Sequence, residues 1–187
     1  MAAEPIQKRL FTTEEYHQML QAGILSEDDR VELIEGEIWE MSPIGSRHAG
    51  SVNRLNSALV KAFGDRAIVS VQNPVHLDGY SEPQPDLTVL RYREDFYTEA
   101  HPTPEDTVLL IEVADSSVQF DRNVKARLYA KKGVPEVWLF VLPESRIEVY
   151  RDPSPEGYRQ VAVLRPGDRL SPLAFPDLMI EVNAILG

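Results

Sequence analysis

The chain has 187 residues, of which 43% are hydrophobic and 26% charged, with a net charge of −11 at pH 7. That length supports one substantial core and is short for two, and these proportions exclude collagen-like, mucin-like and wholly disordered chains. The acidic balance excludes a broad basic surface, leaving a local basic patch or a metal as the only means of holding nucleic acid, and the absence of cysteine excludes disulfides, a thiolate nucleophile, zinc fingers and Fe–S clusters.

Met1 to Leu20 contains no apolar run of the signal-peptide kind, and no window reaches the roughly 18 apolar residues of a membrane span. A cytoplasmic protein without membrane contact is expected. Thr12 or Thr13 caps a short helix that runs to about Ala22 and stops at Gly23. Alternating apolar residues on either side of Glu35-Gly36 predict a β-hairpin over 31–41, broken by Ser42-Pro43-Ile44-Gly45. From Ser46 to Phe63, the apolar positions Val52, Leu55, Leu59, Val60 and Phe63 share one helical face, and Gly64 is the stop. Strands are expected over 68–71, 74–77 and 86–90, with an irregular surface loop over 91–106. The nearly unbroken apolar run Thr107 to Val113 reads as a central strand buried on both faces. Asp121 to Lys132 reads as a helix ended by Gly133 and Pro135. A buried strand over 136–142 then forms a hairpin with 146–150, and further short strands and turns fill 161–187. The order of elements predicts one α/β domain over 1–187, its core at about 31–151, built on a central mixed β-sheet flanked by helices.

Glu112 is the sharpest anomaly, a carboxylate inside an otherwise apolar strand. Such a group is costly unless it is paired, protonated or bound to a cation; the alternative is a strand-end residue that reaches solvent. Asp86, just ahead of its strand, is either a turn residue or a second functional carboxylate. Adjacent strands would bring Asp86 and Glu112 together at one sheet edge. Two carboxylates that close repel unless a divalent cation lies between them, and oxygen ligands suit Mg²⁺ or Mn²⁺. Asp121, Lys125 and Tyr129 are spaced by four on one helical face. Lys125 is then either half of a surface ion pair with Asp121 or a lysine aimed at the metal site.

Pro85-Asp86 followed by Glu112-Val113-Ala114 resembles the PD-(D/E)XK nuclease superfamily. More closely, the chain resembles a large bacterial family of uncharacterised restriction-endonuclease-like proteins. The matching segments are 32–37, 41–43, His48, 85–87, 111–113, 121–129 and 133–139, together spanning roughly residues 11–151. The superfamily lysine position is here Ala114, and the resemblance implies that Lys125 on the following helix takes its place. It also implies a restriction-endonuclease-like fold with an N-terminal β-hairpin extension and a Mg²⁺-dependent endonuclease, with Mn²⁺ as an alternative ion. Asp86, Glu112 and the Val113 carbonyl would hold the metal, His48 would be a further ligand or proton carrier, and Glu32 or Glu35 a further acidic group. Asp121 and Tyr129 accompany Lys125. The expected reaction is phosphodiester hydrolysis on nucleic acid, DNA or RNA, with DNA the favoured substrate. A homodimer is expected because one acidic chain has too little basic surface to hold a duplex; Arg91, Arg93, Arg122, Lys125, Arg127, Lys131 and Lys132 would supply the groove. The competing expectation is a catalytically inactive dimeric binding or scaffold protein with a relic site. A sugar- or nucleotide-processing hydrolase has no support, since neither a Gly-rich phosphate loop nor G-x-S-x-G is present.

Overall fold

A computed structural model describes residues 6–26 and 28–186. Helix α1 (Thr13–Gln21) opens with a capping box: the Glu15 amide donates to Thr12 Oγ1 at 3.2 Å, and the Thr12 amide donates to Glu15 Oε2 at 3.0 Å. Strands β1 (Val31–Ile34) and β2 (Glu37–Glu40) form the expected hairpin. Both turn residues have positive φ, 48° at Glu35 and 80° at Gly36, which is the two-residue turn that matches strand twist. Gly36 is required twice over, since a Cβ there would sit 2.7 Å from Leu10 Cβ. The hairpin is tied to the later segment around Glu82, whose N–H donates to the Leu33 carbonyl at 2.8 Å.

The main sheet has six strands in the order β3-β4-β5-β6-β7-β8. These are β3 (Ala67–Val71), β4 (Leu87–Arg91), β5 (Thr107–Ala114), β6 (Glu136–Val141), β7 (Arg146–Ser154) and β8 (Gly157–Leu164). Every pairing is antiparallel except β5 with β6, so the sheet is mixed as expected. The parallel pair needs a crossover, and a helical run supplies it: α3 (Val118–Phe120), a π-helical segment (Asp121–Lys125) and α4 (Ala126–Lys131).

Alternation along the strands sends residues to two apolar layers. One face packs Leu109, Ile111, Val113, Trp138 and Phe140 against Val52, Leu55, Leu59 and Phe63 of α2 (Ser46–Phe63). The other packs Leu110, Ala114, Val137 and Leu139 against Ile34 of the hairpin and Leu128 and Tyr129 of the crossover. A short ladder of β9 (Arg169–Leu170) with β10 (Ile180–Glu181), followed by α5 (Val182–Leu186), closes the α2 layer.

Three expectations need correction. Segment 74–77 is not a sheet strand: Val75, His76 and Leu77 donate to the carbonyls of Pro83, Pro102 and Ser81, so its backbone is satisfied by loops. The crossover helix begins at Val118 and contains a π-turn, in which Ala126 N–H reaches the Asp121 carbonyl. The C-terminal stretch holds the last sheet strand from Gly157 and helix α5, and the apolar core extends to Leu186.

Candidate active site

The alternation of β5 explains where Glu112 goes. Its neighbours Ile111 and Val113 face α2, so Glu112 faces the hairpin and the crossover, where it is 4% exposed. Burial there is compensated. Tyr129, one turn beyond Lys125, donates its hydroxyl to Glu112 Oε1 at 2.6 Å, and Lys125 Nζ lies 3.0 Å from the same oxygen. Among the described residues Glu112 Oε2 has no hydrogen-bond partner.

Lys125 is itself only 4% exposed, so it is not half of a surface pair. Its ion partners are Glu112 and Glu32 Oε2, the latter at 3.1 Å. Glu32 comes from β1 and is 2% exposed; its Oε2 also accepts the Gln84 amide at 3.1 Å. The lysine thus joins the hairpin to the central strand. Glu35 is not part of this group. It occupies the hairpin tip and pairs at the surface with Lys131 at 2.9 Å.

Asp86 lies directly ahead of β4, whose register with β5 pairs Leu87 with Ile111. Its carboxylate therefore reaches past the end of the ladder and accepts the Val113 amide at 2.9 Å on Oδ2. His48, in the first turn of α2, places Nε2 3.0 Å from the same oxygen. Gln72 Nε2 donates to Oδ1 at 3.3 Å. Within a strand a residue's N–H and C=O serve the same neighbour, so the Val113 carbonyl lies along the edge that carries Asp86. Ser117 donates to Asp121 Oδ2 at 2.5 Å, so the crossover adds a fourth carboxylate.

The electrostatics follow from crowding acids in a dry place. Burial pushes the Glu112 carboxyl up to about 8, opposed by Lys125 and reinforced by Asp121, Asp86 and Glu32. Burial likewise raises Asp121, against the pull of Lys125 and Ser117. Lys125 pays the same desolvation, yet the carboxylates of Glu112, Glu32 and Asp121 hold it well above the ordinary lysine range. His48 is raised by its hydrogen bond to Asp86, despite partial burial.

One cleft of about 460 Å³ is lined by Glu32, Asp86, Glu112, Val113, Asp121, Lys125 and His48. Trp39, Met41, Ile44 and Phe120 form its apolar wall. Sequence reasoning missed the supporting Gln72, Gln84 and Ser117; the run Pro83-Gln84-Pro85-Asp86 was the available signal for Gln84, while Gln72 and Ser117 had none. No group of three or more His, Asp or Glu side chains among the described residues forms a ready-made metal cage. The donor chemistry nevertheless fits a hard cation: a Glu112 oxygen without a partner among the described residues, the Asp86 carboxylate and a nearby carbonyl are all oxygen ligands.

The expected basic groove is largely neutralised. Arg122 pairs with Glu148, Lys125 with Glu32 and Glu112, Lys131 with Glu35, Lys132 with Asp78 and Arg93 with Asp95. No helix among the described residues is long and apolar enough to cross a membrane.

Comparison with known proteins places this architecture. None of the curated proteins searched matches the chain. The fold is similar to the crystal structure of a putative nuclease belonging to DUF820 from Anabaena variabilis ATCC 29413, with a TM-score of 0.71 and 19% identity over 97% of this chain and 98% of that one. The family model Uma2, described as "Putative restriction endonuclease", matches residues 13–183, and the chain belongs to that family.

Proposed function

We propose that the protein is a divalent-metal-dependent nuclease that hydrolyses phosphodiester bonds of DNA in the cleft between hairpin, crossover and sheet edge. The observation that carries this reading is the convergence of Asp86, Glu112 and Lys125 on one cleft, with Glu112 Oε2 left without a partner. Asp86, Glu112 and the Val113 carbonyl would hold Mg²⁺ or Mn²⁺. When bound, such an ion supplies Lewis acidity toward the phosphate and lowers the pKa of a coordinated water.

The remaining work falls to the chain. Lys125 offsets the charge of Glu32 and Glu112 and adds positive charge beside the phosphate as negative charge builds there. Tyr129 fixes the Glu112 rotamer through its 2.6 Å hydrogen bond, leaving Oε2 for the cleft. His48 and the Val113 amide orient Asp86. In the reaction, a water oxygen bonds to phosphorus, one P–O ester bond breaks, and the water proton leaves to solvent or to the departing oxygen.

A second reading has its own support. Lys125 already bridges Glu32 and Glu112, as a relic site would retain a self-satisfied polar network in a non-catalytic binding protein. Cleavage assays with Mg²⁺ and Mn²⁺ on single-stranded, double-stranded and branched DNA separate the two. The nuclease reading expects metal-dependent products that Asp86→Asn abolishes. Products that persist in Asp86→Asn would move the chemistry elsewhere, and no product with any substrate favours the relic.

A further inference from the structure

Trp39 stands directly across the hairpin from Glu32, its register partner, so both side chains share one face of β1-β2. Glu32 uses that face to hold Lys125; Trp39 extends it along the cleft wall. The indole leans on Phe120, with ring centroids 4.8 Å apart, yet Trp39 remains 38% exposed. Ile44, 43% exposed, continues the same wall. A large aromatic is thus kept partly open to water beside a cluster of carboxylates.

Three further observations narrow what would cover it. Among the described residues most cations on the crossover helix and the 91–106 loop are spent on carboxylates, so the continuous phosphate contacts that a duplex needs are not on offer. Arg30 is different: it lines the cleft, and its side chain donates to the Ser42 carbonyl at 2.7 Å, with no carboxylate paired to it among the described residues. The cleft, at about 460 Å³, has the size of a small-ligand pocket. One cation, one open indole and a nucleotide-sized space suit an unpaired base with its phosphate. Stacking accepts any base, because every base presents a π-face.

We propose that this cleft takes an unpaired nucleotide, its base stacked on Trp39, its phosphate on Arg30 beside the position where Asp86 and Glu112 would hold the cation. The inference rests on the nuclease reading and specifies its substrate class as single-stranded or locally unpaired nucleic acid. A single chain then suffices, because no long basic groove has to be assembled from two.

The chain has two tryptophans, and Trp138 is fully buried in the α2 layer. A DNA-dependent change in tryptophan emission therefore reports on Trp39. The Asp86→Asn protein is titrated with a labelled single-stranded DNA 12-mer or the same sequence as duplex, reading tryptophan emission and label anisotropy together. Single strands should quench emission and bind more tightly than the duplex. Trp39→Phe in that background should remove the quench but keep binding, and Trp39→Ala should weaken binding about tenfold or more. Equal or tighter binding of duplex overturns the proposal, as does unchanged affinity in Trp39→Ala. Emission that depends on protein concentration and not on DNA also overturns it, marking the wall as a contact between copies of this chain. The wild-type protein with Mg²⁺ and the same oligonucleotides keeps the two readings apart: cleavage of duplex without quenching removes the stacking proposal alone, and quenching without cleavage supports stacking while removing the nuclease.

Discussion

Lys125 Nζ lies 3.1 Å from Glu32 Oε2, and this contact ties the crossover helix to the N-terminal hairpin. It also changes what Lys125 does for stability. An exposed i,i+4 pair would contribute a few tenths of a kcal/mol. Here the lysine is the buried ion partner of two acids, and its removal leaves Glu112 with the Tyr129 hydroxyl and Glu32 with the Gln84 amide in place of a counter-charge.

Lys125→Ala should therefore destabilise the metal-free protein by about 3–5 kcal/mol, the cost of breaking a buried pair from one side. Urea unfolding in EDTA measures it. Lys131→Ala, which loses only the surface contact with Glu35, should fall within about 0.5 kcal/mol of wild type. Similar midpoints for the two variants would mean that Lys125 is solvated and its ion pairs are weak.

Glu112 gives the pH dependence a definite sign. Its carboxyl titrates near pH 4.5 when unfolded and is raised to about 8 in the fold. Between those values the native state binds more protons than the unfolded state, so stability falls as pH rises. In EDTA, the melting temperature should decline between about pH 5 and pH 8, and Glu112→Gln should flatten that slope. A wild-type slope that survives the substitution assigns it to other groups, Asp121 first.

The sequence shows β5 because its apolar run admits no other reading, and it shows Glu112 because a charge in that run demands a reason. Lys125 and Tyr129 are legible from their spacing of four, which the π-turn beginning at Asp121 leaves on one side of the helix. Glu32 is less so. In a hairpin of alternating charge it looks no different from Glu35, and only the docking of the crossover buries one and leaves the other in water. Helix α5 has five residues, too few for a helical period, and β8 is mostly exposed, so neither carries a pattern that a core would impose. Segment 74–77 has strand-like residues but no neighbouring strand to pair with, since loop carbonyls take its amides.

His48 offers a local probe of Asp86. The hydrogen bond between them raises the imidazole above its ordinary value. Removing the carboxylate charge in Asp86→Asn should lower it, leaving burial as the main influence. Histidine NMR titration in EDTA reads this directly. The linkage follows: a raised histidine adds stability that is full below about pH 6.5 and is lost as pH climbs through the folded value. Identical His48 titrations in both proteins would show that the 3.0 Å contact does not persist in solution.

Metal binding should appear as stability before it appears as catalysis. Glu32, Asp86, Glu112 and Asp121 line one cleft against a single lysine, so repulsion among them is relieved when a divalent cation binds the folded state. At a concentration 100 times its dissociation constant, Mg²⁺ or Mn²⁺ should add about 2.7 kcal/mol, or a rise of about 5–10 °C in a chain of this size. Asp86→Asn and Glu112→Gln should each lose that rise. Glu148→Gln is the control. Glu148 is buried on β7, but Arg122, Arg146 and Tyr150 already saturate it. Its substitution should lower the baseline melting temperature and leave the metal response intact. An undiminished response in Glu112→Gln would place the ion outside this cleft, and a response lost only in Glu148→Gln would place it beside β7 instead.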